Sequence, residues 1–199
     1  FAPSVDEMYP PGFATTLTVS GVSGGLCGAF RPQMFGGVAL VVAKLLLQAL
    51  PDVAVFGEKD YQQLLVIRRL VRDLDIPVRI EGVPTLRESD GLAMSSRNSY
   101  LSPAERAQAP QLHKAMAKAA VALRAGTPVD LALAQAKADI LAAGFTRIDY
   151  LELCDAETLA PIDSMRRLER GERPARLLAA AWLGRTRLID NISIAFDDS

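Results

Sequence analysis

At residues 52–63 the chain reads Asp52-Val53-Ala54-Val55-Phe56-Gly57-Glu58-Lys59-Asp60-Tyr61-Gln62-Gln63. The apolar run from Val53 to Phe56 is too short for a helix and follows a proline, so we predict a short buried strand that ends at Gly57. Beyond Gln63, apolar side chains recur at helical spacing as far as Leu74. The stretch therefore predicts a strand, a charged turn and a helix in direct succession.

This predicted junction has the chemistry of an anion site. Open α/β sheets bind their ligands at the carboxyl ends of strands. Free backbone N–H groups and the helix dipole favour an anion at the start of the following helix. Lys59 lies in the turn, between the carboxylates of Glu58 and Asp60. We therefore predict that Lys59 faces a phosphate group.

The segments around this junction predict a parallel sheet with crossover helices. An apolar helix is expected from about residue 36 to residue 50, and residues 78–84 alternate apolar and polar side chains as a strand does. Helix, strand, helix and strand with short links are typical of α/β folds. A threonine-rich strand is also expected at residues 15–19. Composition changes after Pro84, and we place a domain boundary near Leu86.

The remainder of the chain predicts a smaller α+β domain with a short antiparallel sheet. Pro110 should kink or restart the helix that contains it. Gly184 and Arg185 predict a tight hairpin turn. The other expected elements are a helix that opens with the cap Ser102-Pro103-Ala104-Glu105, a helix over residues 127–143, and strands over residues 148–153, 175–183 and 187–196.

Composition narrows the possible functions of the 199-residue chain. Lys and Arg number 22 and Asp and Glu 23, so net charge gives no case for nucleic-acid or anionic-membrane binding. Lys44 and Gln48 interrupt the longest apolar run, which excludes a membrane span there. Two cysteines fit a reducing compartment and form no disulfide framework. His113 is the single histidine, and we expect it to be an ordinary exposed residue.

Two polar loops have both a structural and a functional interpretation. Residues 20–28 hold four glycines, at positions 21, 24, 25 and 28, without the spacing of a known phosphate loop, so a flexible connection is favoured over a phosphate cradle. The segment Ser95-Ser96-Arg97-Asn98 carries hydroxyl, guanidinium and amide groups suited to phosphate oxygens. A helix cap explains that segment equally well.

Three motifs belong together: Phe56-Gly57-Glu58-Lys59-Asp60-Tyr61-Gln62-Gln63, Gly82-Val83-Pro84-Thr85 and Asp90-Gly91-Leu92-Ala93-Met94-Ser95-Ser96-Arg97-Asn98. Their combination resembles the pantothenate synthetase family, and the likeness extends more loosely to residues 149–152 and 187–191. The family joins pantoate to β-alanine: ATP adenylates the pantoate carboxylate, pyrophosphate leaves, and β-alanine displaces AMP. The resemblance implies a Rossmann-like sheet of the nucleotidyltransferase superfamily in residues 1–86 and a C-terminal lid in residues 87–199.

Site residues follow from the resemblance by position. Catalytic roles fall on Lys59, Ser95, Ser96 and Arg97, and Gln63 is similar to the family's pantoate-binding glutamine. Magnesium, a homodimer and a cytoplasmic location are implied as well. The implied ATP contacts are Gly57, Glu58, Lys59, Asp60, Leu86 (through its backbone), Met94, Ser95, Ser96 and Arg97.

Departures from the family pattern leave alternatives open. The family's histidine-rich nucleotide motif and its first strand have no counterpart here, so the front of the Rossmann domain is expected to precede Phe1. Met34 occupies a position where the family pattern has histidine, and a thioether donates no hydrogen bond. We expect this chain alone to make no pantothenate at the rate typical of the family. The alternatives are a non-catalytic ATP-phosphate-binding or assembly module that needs a separate front half, and another nucleotidyltransferase of the same fold.

Overall fold

The computed structural model describes residues 1–163 and 174–194. The chain divides into two compact units, Phe1–Pro84 and Thr85–Ser199. The fold is α/β: the described residues form a parallel pair of strands in the first unit and a three-stranded antiparallel sheet in the second. No helix among these residues is long and apolar enough to cross a membrane.

The first unit contains the predicted strand, turn, helix and strand, but the first strand is not buried as expected, since Val55 is 58% exposed. The two strands run parallel, with Val53 opposite Arg79 and Gly57 opposite Val83. The connection between them is the helix that follows Lys59, as the short links in the sequence predicted. The elements are α1 (Val5–Met8), α2 (Cys27–Phe30), α3 (Met34–Ala49), β1 (Val53–Gly57), a 3₁₀ turn (Glu58–Asp60), α4 (Tyr61–Asp73) and β2 (Arg79–Val83).

The core of the first unit lies between α3, α4 and the strands. Val42 and Leu46 come from adjacent turns of α3, and Ile67 and Val71 from adjacent turns of α4. The four-residue spacing puts each pair on one helix face, so both faces can bury their apolar side chains together. Phe56 of β1 packs against this cluster. The apolar periodicity beyond Gln63 therefore predicted the buried face of α4.

The strand expected at residues 15–19 is wrong. These residues form no strand in the structure. Threonine and valine favour extended backbone, but a strand also needs a neighbour that pairs its N–H and C=O groups. Both described strands of this unit pair with each other, and neither pairs with residues 15–19.

The second unit is an α+β arrangement, as predicted. Ser102 and Glu105 form the expected capping box: Glu105 N donates to Ser102 Oγ (3.3 Å) and Ser102 N to Glu105 Oε2 (2.8 Å). Beyond Pro110 a new helix begins. The elements are a 3₁₀ turn (Ser96–Tyr100), α5 (Pro103–Gln108), α6 (Gln111–Arg124), α7 (Val129–Ala142), β3 (Arg147–Asp155), β4 (Ala175–Leu183) and β5 (Thr186–Ile194).

The three strands form an antiparallel sheet in the order β3-β4-β5, covered by α6 and α7. Gly184 has a φ of +54° and lies in the predicted hairpin turn between β4 and β5. The predicted extension of the last strand to residue 196 lies outside the described residues. Fully buried side chains from helices and sheet make one cluster, which includes Met116, Leu123, Ile140, Leu153 and Leu177.

The Asp149 carboxylate links all three strands of this sheet through hydrogen bonds. The Asp149 carboxylate on β3 accepts hydrogen bonds from Trp182 Nε1 on β4 (3.0 and 3.1 Å) and from Arg187 Nε on β5 (2.7 Å). Arg147 contributes a further ion pair at 3.0 Å and stacks over the Trp182 ring, 4.7 Å from its centroid. Asp149 is thus a buried charge with its oxygens satisfied, the condition for tolerating one.

Candidate functional site

The junction after β1 has the predicted geometry. Gly57 is the last residue of the strand, residues 58–60 form a 3₁₀ turn, and Tyr61 begins α4. The Lys59 side chain is 18% exposed, so its aliphatic stem is largely covered, and its Nζ lies 4.0 Å from Asp60 Oδ2. Because Asp60 is half exposed, this pair contributes little to stability. A lysine at the carboxyl end of a parallel strand can offer its charge to an anionic ligand.

Gln63 lies four residues beyond Lys59, on the first turn of α4, and is half-buried. Its amide can both donate and accept hydrogen bonds, which suits a ligand that carries hydroxyl and carboxylate groups. In the first unit the structure therefore brings Gly57, Glu58, Lys59, Asp60 and Gln63 together within one turn and the start of one helix.

Sequence reasoning missed the role of the neighbouring glutamine. Gln62 is 5% exposed, and its Oε1 accepts a hydrogen bond from Cys27 N (3.0 Å). Its Nε2 donates to Val22 O (2.9 Å) and to Gly25 O (2.8 Å). One amide side chain thus holds three backbone groups of the glycine-rich loop against the first turn of α4.

The glycine-rich loop is not the loose connection that composition favoured. A Cβ at Gly28 would overlap the carbonyl oxygen of Ser23, and Ser23 Oγ donates to Val19 O. The Ser23 carbonyl can lie this close to residue 28 only because glycine has no side chain. The loop therefore has a definite path, fixed by close backbone packing and by the Gln62 amide.

In the second unit, the residues expected to contact ATP lie on a small hairpin and on the turn that follows it. Arg87 and Ala93 form an antiparallel bridge, and Met94 N donates to Leu86 O (2.9 Å). Leu86 is 74% exposed and Met94 49% exposed. Since the Leu86 carbonyl already accepts one hydrogen bond, it has one lone pair left for a ligand.

The Ser95–Arg97 segment follows directly from this hairpin. Ser95 Oγ accepts from Arg97 N (3.2 Å), so Ser95 caps the 3₁₀ turn. Asn98 Nδ2 donates to Ala93 O (3.1 Å). The capping interpretation thus describes Ser95 correctly, and its hydroxyl proton can still be donated to a ligand. Leu86, Met94, Ser95, Ser96 and Arg97 all lie on the hairpin or the turn that it leads into.

Arg87 of this hairpin belongs to a cluster of charged and titratable groups that also contains Asp190 and His113. Arg87 donates to both oxygens of Asp190 on β5, at 2.7 and 2.9 Å. His113 is 25% exposed, with Nδ1 3.3 Å from Asp190 Oδ2, so the expectation of an ordinary exposed histidine is wrong. Position 113 lies on the face of α6 that turns toward β5, a relation that the local sequence does not carry.

Burial acts to raise the pKa of the Asp190 carboxyl, but the neighbouring His113 imidazole and the Arg87 guanidinium outweigh it and hold the pKa below its usual value. Asp190 therefore remains a carboxylate at neutral pH. For Cys154 burial is the dominant cause, and with Glu152 and Asp155 nearby it raises the thiol pKa to about 12. A thiol with that pKa is inert at pH 7, which excludes Cys154 as a nucleophile.

Comparison with known proteins identifies the family. The family model described as Pantoate-beta-alanine ligase matches residues 1–193. A pantothenate synthetase of Paramagnetospirillum magneticum is 63% identical over 194 residues, and one of Chelativorans sp. is 57% identical over 195 residues. Each alignment covers 98% of this chain and 66% of the relative.

Solved structures agree with the sequence comparison. The pantothenate synthetase of Thermus thermophilus superposes with a TM-score of 0.90 at 47% identity, covering 98% of this chain and 69% of that one. The Francisella tularensis pantoate-beta-alanine ligase, complexed with beta-gamma ATP and beta-alanine, gives a TM-score of 0.71 at 26% identity, covering 94% of this chain and 61% of that one.

The fold class is therefore that of the solved pantothenate synthetases, an α/β protein with a parallel pair and a small antiparallel sheet. The chain belongs to the pantoate–β-alanine ligase family. It spans 66% of the length of the Paramagnetospirillum and Chelativorans relatives.

Proposed function

We propose that this chain carries part of the site for ATP-dependent ligation of pantoate and β-alanine. The observation that carries the proposal is the family match over residues 1–193, which includes both segments with phosphate-binding chemistry. In the proposed reaction the pantoate carboxylate attacks the α-phosphorus of ATP and pyrophosphate leaves. The β-alanine amine then attacks the acyl carbon, and AMP leaves with the oxygen of the broken acyl–phosphate bond.

Lys59 has the main electrostatic role in the proposal. Negative charge gathers on the phosphate oxygens as the α-phosphorus is attacked, and a fixed cation there lowers the barrier. Lys59 fits because its stem is covered and its position at the end of β1 is set by the strand and the 3₁₀ turn. Gly57, Glu58 and Asp60, in the same turn, would contact the nucleotide, with the Gly57 backbone and Asp60 toward the ribose. Gln63 would bind pantoate.

The hairpin of the second unit would hold the rest of the nucleotide. Ser95, Ser96 and Arg97 would bind the β- and γ-phosphates, with Met94 beside them and the Leu86 backbone at adenine. Hydroxyl and guanidinium donors suit phosphate oxygens, and Arg97 can form a two-pronged contact. In this proposal residues 1–86 bind nucleotide and pantoate, and residues 87–199 act as the lid that shields the acyl adenylate from water.

Magnesium fits the proposal as an ion carried by ATP. Within residues 1–163 and 174–194 no group of three or more His, Cys, Asp or Glu side chains could hold a metal. Mg²⁺ commonly keeps several waters and binds through substrate phosphates, so it needs no protein cage. We expect EDTA to abolish catalysis and added Mg²⁺ to restore it. A cytoplasmic homodimer completes the proposal, and sedimentation of the purified protein checks the dimer.

ATP binding is the first test. Calorimetry with ATP and Mg²⁺ compares wild type, Lys59→Ala and Lys114→Ala, the last removing an exposed lysine of α6. Loss of a charge-assisted phosphate contact should weaken binding by Lys59→Ala about tenfold or more, while Lys114→Ala should bind as wild type does. Equal affinities of Lys59→Ala and wild type would remove Lys59 from the site.

Catalysis is the second test. Pantoate-dependent pyrophosphate release is measured for this chain and for a fusion that restores the relatives' length with the unmatched third of the Paramagnetospirillum enzyme. We expect turnover by the fusion and little by the chain alone. Lys59→Ala in the fusion should slow turnover about 100- to 1,000-fold. A fusion that folds, binds ATP and shows no pantoate-dependent release would refute the proposed reaction.

A further inference from the structure

We propose that Arg87 and Asp190, with His113 beside them, form a positioning device that fixes residues 94–97 for phosphate binding. The nucleotide part of this inference rests on the proposed function; the mechanical part does not. Arg87 Nη1 donates both to Asp190 Oδ2 (2.7 Å) and to Gly91 O (3.1 Å), while Nη2 donates to Asp190 Oδ1 (2.9 Å). A single guanidinium thus connects β5 to the far end of the hairpin.

The hairpin itself is short and depends on that connection. Besides the bond from Met94 N to Leu86 O, Glu88 N donates to Leu92 O (2.8 Å) and Gly91 N to Glu88 O (2.9 Å). Two-stranded hairpins of this size are marginal without outside support. Residues 95–97 leave the hairpin at Met94, so any slip of the hairpin moves their hydroxyl and guanidinium groups.

Asp190 is a rigid anchor for the connection. It lies on β5, opposite Ala179 of β4, and is 4% exposed. Asn191 N donates a third hydrogen bond to Asp190 Oδ1 (2.7 Å). A buried carboxylate is tolerated only when charged partners satisfy it, so Asp190 and Arg87 hold each other in place.

The helix α6 supports the same point from another side. His113 Nδ1 lies 3.3 Å from Asp190 Oδ2, and a Cβ added at Gly91 would lie 3.2 Å from His113 Cδ2. Gly91 has a φ of +94°, which a glycine adopts without strain. The hairpin end is thus packed against α6 while Arg87 ties it to β5. Both contacts are made at residues 87 and 91 rather than at residues 94–97 themselves.

Hydrogen exchange on the 199-residue chain tests the mechanical part. Arg87→Lys keeps the charge and removes the fork that bonds both Asp190 and Gly91 O. Asp190→Asn removes the charge and keeps the shape. Lys118→Gln is the control, because it breaks an exposed ion pair with Asp139 in the same unit, away from the hairpin.

In Arg87→Lys we expect amides of residues 94–101 to exchange on the order of tenfold faster, as a bidentate charged contact becomes a point contact. Amides of α7 should keep their wild-type rates in Arg87→Lys, and amides of residues 94–101 should keep theirs in Lys118→Gln. Unchanged exchange at residues 94–101 would overturn the proposal, as would one uniform factor across hairpin, α7 and sheet, which would show a general structural role. If Asp190→Asn does not fold, Arg87→Lys decides alone.

ATP affinity, measured on the same samples, tests the link to function. Arg87→Lys should bind ATP on the order of tenfold more weakly than wild type, the loss expected when a charged phosphate contact is displaced, and Lys118→Gln should bind equally well. Equal ATP affinity of Arg87→Lys and wild type, despite faster exchange, would overturn the positioning role. If wild type itself binds no ATP, the proposed function fails, while the exchange rates still decide whether the device holds the hairpin.

Discussion

Gln62 and Gln63 are neighbours with the same side chain and different surroundings. Gln62 is buried and its amide makes three hydrogen bonds to the backbone of residues 22–27, whereas Gln63 is half-buried. Both N–H groups of Gln62 are used by the loop, so this side chain has no donor left for a ligand. The two positions therefore separate a structural role from the proposed pantoate contact within one helical turn.

Replacing these glutamines by alanine should have unequal effects on stability. Gln62→Ala removes three hydrogen bonds to the backbone of residues 22–27, and we expect it to lower the free energy of unfolding by about 3 kcal/mol. Gln63→Ala should change it by no more than about 0.5 kcal/mol. Urea denaturation of both variants measures the difference, and equal losses would contradict the role given to Gln62.

At the scale of single residues, the sequence predicted those features that neighbouring residues determine. The placement of Lys59 and Gln63 at the end of a strand follows from a few adjacent residues. The partners of Gln62 lie 35 to 40 residues earlier, and Asp190 lies 103 residues from Arg87, so nothing in their local sequence signals these bonds. His113 was misjudged for the same reason, since the neighbours that cover it come from other elements.

At the scale of elements, capping and periodicity were sufficient signals for most helices and strands. The serine, proline and glutamate that open α5 produce a cap whatever lies nearby. A strand, in contrast, depends on its neighbour, which is why residues 15–19 were assigned wrongly. The glycine-rich loop is a third case, because its composition hides a path that tertiary contacts fix.

Alanine at Gly28 and alanine at Gly37 of α3 should change the free energy of unfolding in opposite directions, because only Gly28 is closely packed. Gly28→Ala should lower the free energy of unfolding by about 1–3 kcal/mol, because the new methyl overlaps the Ser23 carbonyl. Gly37→Ala, at a helical position with nothing within 4 Å of the new Cβ, should raise it by up to about 1 kcal/mol. Thermal unfolding followed by circular dichroism tests both. A tolerated Gly28→Ala would mean that the loop is free to move.

Two aspartates in the sheet of the second unit, Asp149 and Asp190, should make the free energy of unfolding fall as the pH is lowered into the acid range. Burial acts to raise the pKa of Asp149, but hydrogen bonds from Arg187 and Trp182 outweigh it, and the pKa of Asp190 is lowered as well. The folded state therefore holds these protons less tightly than the unfolded state, whose aspartates have a pKa of about 3.9. Their contribution is complete above that value and is lost as pH falls through the lowered values.

Urea denaturation between pH 7 and pH 2.5 measures this dependence. It should be flatter in the double variant Asp149→Asn, Asp190→Asn, in which neither position titrates. Two other carboxylates whose pKa is also lowered, the exposed Asp90 and the partly exposed Asp139, should contribute less in high salt, where their ion pairs are screened. A double variant with the wild-type slope in high salt would assign the acid sensitivity to other groups.

For the whole molecule, the division into two units has a testable consequence for folding. The main apolar cluster of the second unit draws only on residues 92–194, with side chains from α6, α7 and the three-stranded sheet. A core of this kind does not require the first unit. We expect residues 85–199, expressed alone, to unfold in one cooperative thermal transition.

Leu177→Ala is the matched variant for that experiment. Leu177 is fully buried in the centre of the sheet, and its truncation should lower the free energy of unfolding by about 2–5 kcal/mol. A cooperative transition that shifts to lower temperature in Leu177→Ala would confirm a packed core. A broad transition without a shift would show that residues 85–199 need the rest of the chain.

Trp182 fluorescence can test, in the full 199-residue chain, whether the second unit unfolds separately from the first. It is the chain's single tryptophan, and its indole lies between the Asp149 carboxylate and the Arg147 guanidinium. Its fluorescence emission should change when the antiparallel sheet opens, because Asp149 and Arg147 both lie on β3. Far-UV circular dichroism, in contrast, responds to helices in both units. Denaturation curves that coincide in the two signals would report joint unfolding, and separated curves would give each unit its own stability.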